Sequence, residues 1–543
     1  MIKPELNRGF TIMMILALFL MLSLIGINSV MTSTTEVDNA ANEISYVSTF
    51  YAAEAGLAKA ASEIAASFRG TGAAPSPLPS GTITFGDYVV EYQTNQLGEA
   101  FTKDLACGAY SGLYGLATQY EITSSAHRTG TNVEVTVDQV VEFNLVPLFQ
   151  FAVFYQEDLE ISPGSAMTIA GRVHTNGDLY LQSGNSLNIN SYVTAAGNIY
   201  RGPKLGSGQS AADGTVNIKN ADGNYRSMFN RGSWLDSDDP DWVAESISRW
   251  GGKVEDKDHG ITDLDLPVVS SGDSHNMIAT AAESADSYEN KATLKIIDGV
   301  ASYQQLDGSW INVTADLLAD GSLSTNTFYE AHQQRSVDSW DIDMSNFKDS
   351  PYFPRNGIMY TANTAGGGNM KATRLTDCSD IGANFTLASK NSVYVQGDYN
   401  TVNKKASAIL TDALTILSNS WDDSKSSQSL DNRVASETTV NCCYMTGNQN
   451  TGEDGSGYNG GYENLPRFLE KWTDVKFNWT GSAVDVWLSE DATHPWSYGG
   501  YYTAPNRNWA FDEDLRDINK LPPGTPMISI FQKVSWREAF AQN

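Results

Sequence analysis

The chain has 543 residues, of which 64 are acidic and 35 are basic, so its formal net charge is −29 at neutral pH. A surface this acidic repels a phosphate backbone, and the composition therefore excludes a nucleic-acid partner. The 46 glycines and 25 tyrosines favour strands and turns over helices, and the length leaves room for several domains or one long solenoid.

The first predicted element is a helix that begins in an apolar segment. No ionisable side chain occurs in the 26 residues from Phe10 to Thr35. The 22 residues up to Met31 cover about 33 Å as a helix, which is enough to cross the hydrocarbon core of a bilayer. Lys3 and Arg8 precede this segment, so we expect the start of the chain to stay in the cytoplasm and the rest to be exported. The segment is too long for a secretory signal and lacks a small-residue cleavage site on its far side.

Beyond the apolar segment the helix is predicted to continue as far as residue 66. No proline interrupts it between Pro4 and Pro75, and apolar residues recur every three or four positions. A plain membrane anchor needs no such extension, so we expect the sheet that follows to cover this apolar stripe. The stripe consists of Val37, Ala40, Ile44, Val47, Tyr51, Ala55 and Ala58.

Two motifs in this segment carry a family resemblance. Arg8-Gly9-Phe10 resembles a type IV prepilin cleavage site, and the helix resembles the N-terminal module of PilX-type minor pilins. The positions that match this module include Glu36, Asn42, Glu54 and Gly56. The resemblance implies a leader over residues 1–9, which prepilin peptidase removes after Gly9 with methylation of Phe10. It also implies that the stripe packs against other pilins and minor pilins, and that a large tip adhesin is a further partner.

Met14 departs from the pattern of major pilins. It would be the fifth residue of the mature chain, where major pilins usually carry a glutamate that meets the free amine of the preceding subunit. A subunit without this carboxylate loses that pairing in an apolar setting. The resemblance therefore implies a subunit at the tip or in assembly initiation. A pseudopilin of a type II secretion system shares the loss and stays open, as does a membrane anchor that is never cleaved.

The resemblance also implies a location and a layout. The chain would be a single-pass protein of the inner membrane with a periplasmic C-terminal domain, and would reach the cell surface in the assembled pilus. The predicted fold is α+β: the long N-terminal helix over 10–66, a small antiparallel pilin-like sheet over 67–147, and a large β-rich domain over 148–543. The small sheet is predicted to contain two hairpins, turning at Gly86-Asp87 and at 128–132. The end of the chain, 522–538, is predicted as a strand followed by a helix.

A short repeat characterises the large domain. Residues 171–180 and 191–200 share the pattern Val-x-x-x-Gly-Asx-aliphatic-Tyr, and a related copy lies at 392–399. Strands with Gly-Asx turns at a fixed period predict the stacked coils of a β-solenoid, with a β-sandwich as the alternative. An inserted unit is predicted at 293–345.

The residues that could carry chemistry favour a non-enzymatic protein. The sequence contains no HExxH zinc motif, no GxSxG serine and no phosphate-binding loop. Asp178 and Asp398 occupy equivalent repeat positions after a glycine, where we expect them to bond backbone groups. A membrane-tethered enzyme acting on glycans remains the alternative, because such enzymes use paired carboxylates. The expected function is therefore adhesion or partner binding by the large exported domain.

Three further features leave alternatives open. Asp236, Asp238 and Asp241 could bind Ca²⁺, although a solvated acidic loop is the simpler interpretation, and no other cofactor is expected. The tryptophans and tyrosines near the C-terminus could fill a core or form a sugar-binding platform. Four cysteines could form one or two disulfides in an exported chain, with the pairing open; they are Cys107, Cys378, Cys442 and Cys443.

Overall fold

The computed structural model describes residues 8–105, 110–264, 273–452 and 457–539. The chain divides into two compact units. The first contains the chain up to Phe101, the segment Ala117–Phe143 and the chain from Phe531 onward, and the second contains Thr102–Leu116 and Asn144–Ile530. Four α-helices occur in the described ranges: α1 Arg8–Thr71, α2 Trp242–Trp250, α3 Thr314–Ala319 and α4 Met344–Phe347.

The strands of the described residues are numbered in chain order. The first half of the chain contains β1 Ser80–Phe85, β2 Tyr88–Asp104, β3 Tyr114–Arg128, β4 Glu134–Pro147, β5 Phe151–Tyr155, β6 Leu159–Ile161, β7 Met167–Ile169, β8 Arg172–Thr175, β9 Leu179–Leu181, β10 Ser186–Ile189, β11 Val193–Ala195, β12 Ile199–Arg201, β13 Thr215–Lys219, β14 Tyr225–Ser227, β15 Phe229–Asn230, β16 Ser233–Trp234 and β17 Val254–Glu255. The second half contains β18 Leu294–Ile297, β19 Val300–Gln304, β20 Trp310–Asn312, β21 Leu323–Glu330, β22 Arg335–Asp343, β23 Ile358–Ala362, β24 Met370–Thr376, β25 Phe385–Ser389, β26 Ser392–Gln396, β27 Ser407–Thr411, β28 Leu414–Leu417, β29 Thr438–Asn441, β30 Cys443–Thr446, β31 Arg467–Phe468, β32 Lys476–Gly481, β33 Ala483–Asp485, β34 Asn506–Phe511 and β35 Met527–Ala539.

Helix α1 is continuous, as the absence of proline predicted. Its 64 residues span about 96 Å. Among the described residues it is the one helix long and apolar enough to cross a membrane, with a mean hydropathy of 2.7 in its apolar part. This is consistent with a single-pass membrane anchor. Most of the predicted leader, including Lys3, lies outside the described residues.

A five-stranded sheet follows the helix, in the order β1-β2-β3-β4-β35. Both predicted hairpins are confirmed. Phe85 pairs with Tyr88 in the antiparallel ladder of β1 and β2, and Ser125 on β3 lies opposite Thr136 on β4. The expected C-terminal helix is wrong, because Met527–Ala539 is one strand at the edge of this sheet.

The second unit is built mainly from parallel strands. Its largest sheet has the order β17-β11-β8-β5-β33-β30-β27-β25-β23-β18-β19-β20, and the pairs from β17 to β18 are parallel. A six-stranded sheet, β21-β22-β24-β26-β28-β31, is parallel from β22 onward. The segment predicted as an inserted unit supplies strands to both sheets. The segment contains the antiparallel pair β19–β20 and the helix α3.

The sequence repeat sets the register of these strands. Val193 pairs with Val173 and Ile199 with Leu179, each offset by 20 residues in parallel. The two copies therefore stack on one another as parallel strands. Stacked parallel pairs of this kind are the local geometry of a solenoid coil, and a β-solenoid for the whole domain stays a prediction.

Candidate functional site

From Ser45 onward, helix α1 has one face that is buried and one that is exposed. The sheet covers a face that includes Thr49, Ala53, Ala60 and Ile64, each of which has no exposed surface. The expectation that the sheet covers the predicted stripe is therefore wrong. Ala53 follows Tyr51 by two residues, about 200° around the helix, so the stripe lies on the opposite face.

The stripe itself is exposed. Ile44 is 67% exposed and Tyr51 is 64% exposed, and only Ala55 of the seven stripe residues is half-buried. An apolar row of this length is unusual on a soluble surface, because isolated apolar residues are normal there but contiguous ones mark contact sites. The stripe is thus available to a partner.

The four motif residues separate into two groups. Glu36 and Asn42 are exposed and Glu54 is half-buried, whereas Gly56 is buried against the sheet. A Cβ atom at Gly56 would lie 2.2 Å from Oγ of Ser124 and 2.8 Å from Cγ1 of Val90. Gly56 therefore gives the helix the space it needs to pack on β2 and β3.

The predicted processing site lies in the first turn of α1. Gly9 and Phe10 are exposed, and a Cβ atom at Gly9 would meet no other atom within 4 Å. Met14 is 61% exposed on the same apolar segment. Cleavage after Gly9 stays a prediction.

The repeat carboxylates bond backbone groups, as predicted. Oδ1 of Asp158 accepts from the amide of Asp178 (2.8 Å), and Oδ1 of Asp178 accepts from the amide of Asn198 (2.6 Å). Asp398 likewise accepts from the amide of Thr439 (2.8 Å). Each carboxylate thus links its turn to a neighbouring segment of backbone, since an amide buried without a partner is costly.

The glycine before each of these residues has a steric role in the same turns. A Cβ atom at Gly197 would lie 2.3 Å from Oδ1 of Asp178, and one at Gly177 would lie 2.6 Å from the amide nitrogen of Asp158. The Gly-Asx pattern of the repeat is therefore explained by stacking of the turns.

The carboxylate of Asp236, one of the three possible calcium ligands, bonds backbone groups, and calcium binding stays a prediction. Asp236 accepts from the amides of Arg201 (2.9 Å) and Asp238 (3.2 Å), and burial raises its pKa. Asp241 precedes helix α2 without capping it through its side chain. Within the described residues no group of three or more His, Cys, Asp or Glu side chains is arranged to hold a metal ion.

The C-terminal aromatic residues mostly fill the core of the second unit. Trp472, Trp479 and Tyr502 are at most 3% exposed. Trp536 differs, because it lies on β35 and contacts the ring of Phe50 on α1, with the ring centroids 5.6 Å apart. Three of the cysteines are buried free thiols, namely Cys378, Cys442 and Cys443, and Cys107 lies outside the described residues.

Buried carboxyl groups are the feature that sequence reasoning missed. Burial raises the pKa of Glu330, Glu463 and Glu470 to about 7 in each case. Arg467 is also buried and donates to the carbonyl oxygens of Gly447 (3.2 Å) and Ala492 (3.4 Å). Nothing in the local sequence separates these acids from the many exposed ones, because their burial results from strands far apart in the chain.

Comparisons with known proteins add a structural similarity. No protein-family model matches the sequence, and no curated protein matches it. Among solved structures, the chain is similar to the competence-associated pilin ComZ from Thermus thermophilus. The identity is 11%, the match covers 91% of this chain and 98% of that chain, and the TM-score is 0.28. A similarity this low carries no argument about the function of this chain.

Proposed function

We propose that this protein is a type IV pilin-like subunit that is anchored in the inner membrane and later assembled through α1. The observation that carries the proposal is the exposed stripe from Val37 to Ala58, whose residues from Val47 onward lie on the face of α1 opposite its own sheet. A helix that served only as an anchor would gain nothing from an apolar face outside the membrane. Packing against helices of other pilins would bury this face and recover its hydrophobic free energy.

We place the subunit at the tip or in assembly initiation. Met14 supports this position, because it cannot supply the carboxylate that major pilins use toward the neighbouring amine. The size of the second unit also supports a position at the tip. This unit contains Thr102–Leu116 and Asn144–Ile530. A unit of this size at every position would crowd a thin fibre.

The role proposed for the second unit is adhesion or partner binding outside the cytoplasm, without catalysis. The carboxylates of Asp178 and Asp398, which a glycan-active enzyme would need to be free, are engaged with backbone amides. Proposed partners are other pilins, prepilin peptidase and a tip adhesin.

Co-expression with prepilin peptidase tests the proposal. The full chain is purified and its N-terminus is determined by sequencing and mass spectrometry. The mature chain is expected to begin with a methylated Phe10. Gly9→Val should block cleavage, because a branched side chain hinders the approach of the protease to the backbone. Gly26→Val is the matched control, since a Cβ atom also meets nothing at Gly26. A chain that still begins at Met1, or one cut beyond the apolar segment, contradicts the pilin proposal.

A further inference from the structure

A cleft in the second unit is lined mainly by aromatic and amide side chains. Its volume is about 50 Å³, room for a few water molecules or for one edge of a small ligand. The rings that line it belong to His332, Tyr458, Phe468, His494, Trp496, Tyr501 and Tyr502. Aromatic walls with a few polar groups are typical of small-molecule sites.

The aromatic wall is held in place by internal contacts. The imidazole of His332 stacks on Tyr501, with the ring centroids 4.1 Å apart and the planes within 8°. Nε1 of Trp496 donates to the hydroxyl of Tyr502 (3.1 Å), which donates to Oδ1 of Asn464 (2.7 Å). These polar groups are satisfied within the protein, so the wall is organised before any ligand arrives.

Two buried polar atoms among the lining residues remain without a partner. Nε2 of His332 lies 3.0 Å from the carbonyl oxygen of His494, so this nitrogen carries the proton and Nδ1 is left as an acceptor. Burial lowers the pKa of His332 to about 3, which keeps the imidazole neutral. Nδ1 of His332 and Nδ2 of Asn448 have no hydrogen-bond partner in the described part of the chain. His332 is 5% exposed and Asn448 is 7% exposed.

Among the buried side-chain atoms of the described lining residues, Nδ1 of His332 is a free acceptor and Nδ2 of Asn448 is a free donor. Of the described residues that line the cleft, Arg467 alone carries a fixed charge, and its guanidinium already donates to two carbonyl oxygens. A neutral ligand whose groups both donate and accept matches the free acceptor and the free donor of this lining. Hydroxyl groups do both.

We propose that this cleft binds a neutral saccharide. The sugar ring lies against the aromatic wall near Trp496 and Tyr502, and its hydroxyls donate to Nδ1 of His332 and accept from Nδ2 of Asn448. Neither atom reaches solvent in the empty cleft. Entry of the sugar therefore requires the exposed side chain of Thr493, which lines the cleft, to turn outward while the aromatic wall keeps its contacts. The proposal deepens the adhesive role and rests on it, since an exported domain meets glycans outside the cell.

The test is saturation-transfer NMR on the purified full chain, followed by calorimetric titration with the best-binding sugar. The probes are the methyl glycosides of glucose, galactose, mannose and N-acetylglucosamine, and the detergent must carry no sugar headgroup. At least one probe is expected to bind, and Trp496→Ala and Asn448→Ala should each weaken its affinity tenfold or more. Trp310→Ala is the matched control, because Trp310 is 40% exposed and does not line the cleft.

Three outcomes would overturn the proposal: no probe binds the unmodified chain, binding persists unchanged in Trp496→Ala, or the anionic N-acetylneuraminic acid binds as tightly as the neutral sugars. Trp496 lies at the partly exposed rim, so its variant keeps the test decisive even if Asn448→Ala does not fold. The chain that still carries its leader should bind the sugar equally well. A negative sugar-binding result therefore does not affect the test of cleavage after Gly9. A negative cleavage result does not affect the test of sugar binding.

Discussion

Gly56 shows how one missing side chain sets the approach of a helix to a sheet. The nearest atoms to a Cβ atom placed there belong to Ser124 and Val90, both of which lie on strands of the sheet. Overpacking of this kind costs about 1–3 kcal/mol. The higher helix propensity of alanine returns up to about 1 kcal/mol.

We therefore expect Gly56→Ala to destabilise the packing of α1 on the sheet by about 1–2 kcal/mol. Hydrogen exchange of the full chain in detergent measures this directly. Amides near Ala53 and Ala60 should exchange about 5–30 times faster than in the unmodified chain. Gly26→Ala serves as the control and should leave them unchanged. Unchanged exchange of these amides in Gly56→Ala would show that the side chains of Ser124 and Val90 move aside without loss of stability.

Glu470 gives the second unit a dependence on pH. Its carboxyl group is 1% exposed, and it accepts from the amide (2.6 Å) and the hydroxyl (2.7 Å) of Ser418. Burial nevertheless raises its pKa to about 7, from an ordinary value of 4.5. The folded state thus holds this proton more tightly than the unfolded state. Its contribution to stability is fully present below about pH 4.5 and is lost as the pH rises through 7.

Glu470→Gln, which keeps a neutral side chain of the same shape, should therefore reduce the loss of stability between pH 5 and pH 8. A pKa that moves from 4.5 to about 7 corresponds to about 3 kcal/mol, which is the upper limit for the difference between the two proteins. Thermal unfolding of both proteins at pH 5 and at pH 8 measures this difference. The contributions of the other titrating groups are the same in both proteins and cancel. Parallel pH profiles for the two proteins would contradict the assignment.

At the scale of the element, α1 has two apolar faces with different roles. The face that contains Ala53 is covered by its own sheet, whereas the face that contains Ile44 is exposed. Hydrophobic periodicity detects an apolar row but does not identify what covers it. For this reason the sequence pattern located the stripe correctly, but the prediction that the sheet covers it was wrong.

Ile44→Glu and Ala53→Glu form a matched pair that separates the two faces. Ala53→Glu buries a charge without a partner and should unfold the packing of α1 on the sheet, which limited proteolysis of the purified chain detects. Ile44→Glu should leave proteolysis unchanged but prevent incorporation into filaments, measured by the amount of the protein in sheared pili. Normal incorporation of Ile44→Glu would contradict the proposed packing of the stripe.

At the scale of the whole molecule, the chain leaves the first unit after Phe143 and returns to it at Phe531. On β35, Trp536 contacts Phe50, and Arg537 pairs with Asp138 (2.9 Å). The ring of Phe531 lies 5.1 Å from that of Phe143. The last strand therefore completes the sheet that packs on the N-terminal helix.

Removal of the chain from Phe531 onward should accordingly loosen the N-terminal unit, although the deletion is remote from α1 in sequence. The expected result is faster hydrogen exchange in β4 and along α1 near Phe68, because Phe143 loses its contact with Phe531 and Phe50 loses its contact with Trp536. Trp536→Ala should produce a smaller change in the same direction. Unchanged exchange in the truncated chain would mean that β35 is dispensable to the sheet.

The sequence by itself determined the features that depend on local pattern. The proline-free apolar run specified a continuous helix, because helix hydrogen bonds join residues only four apart. The turns at Gly86-Asp87 and at 128–132 specified the two hairpins for a similar reason. The 20-residue Gly-Asx period set the parallel pairing of the repeat copies, and the glycine is required because the carboxylate of the preceding turn occupies the space of its Cβ atom.

Only the tertiary structure decided which faces are covered and which distant residues meet. The face of α1 that carries the stripe could be identified as exposed only once the sheet was seen to lie on the other side. The pairing of β35 with β4, the burial of Glu470 and the meeting of His332 with Tyr501 join residues that are far apart in the chain. Such contacts depend on the register of whole sheets, which no local pattern records.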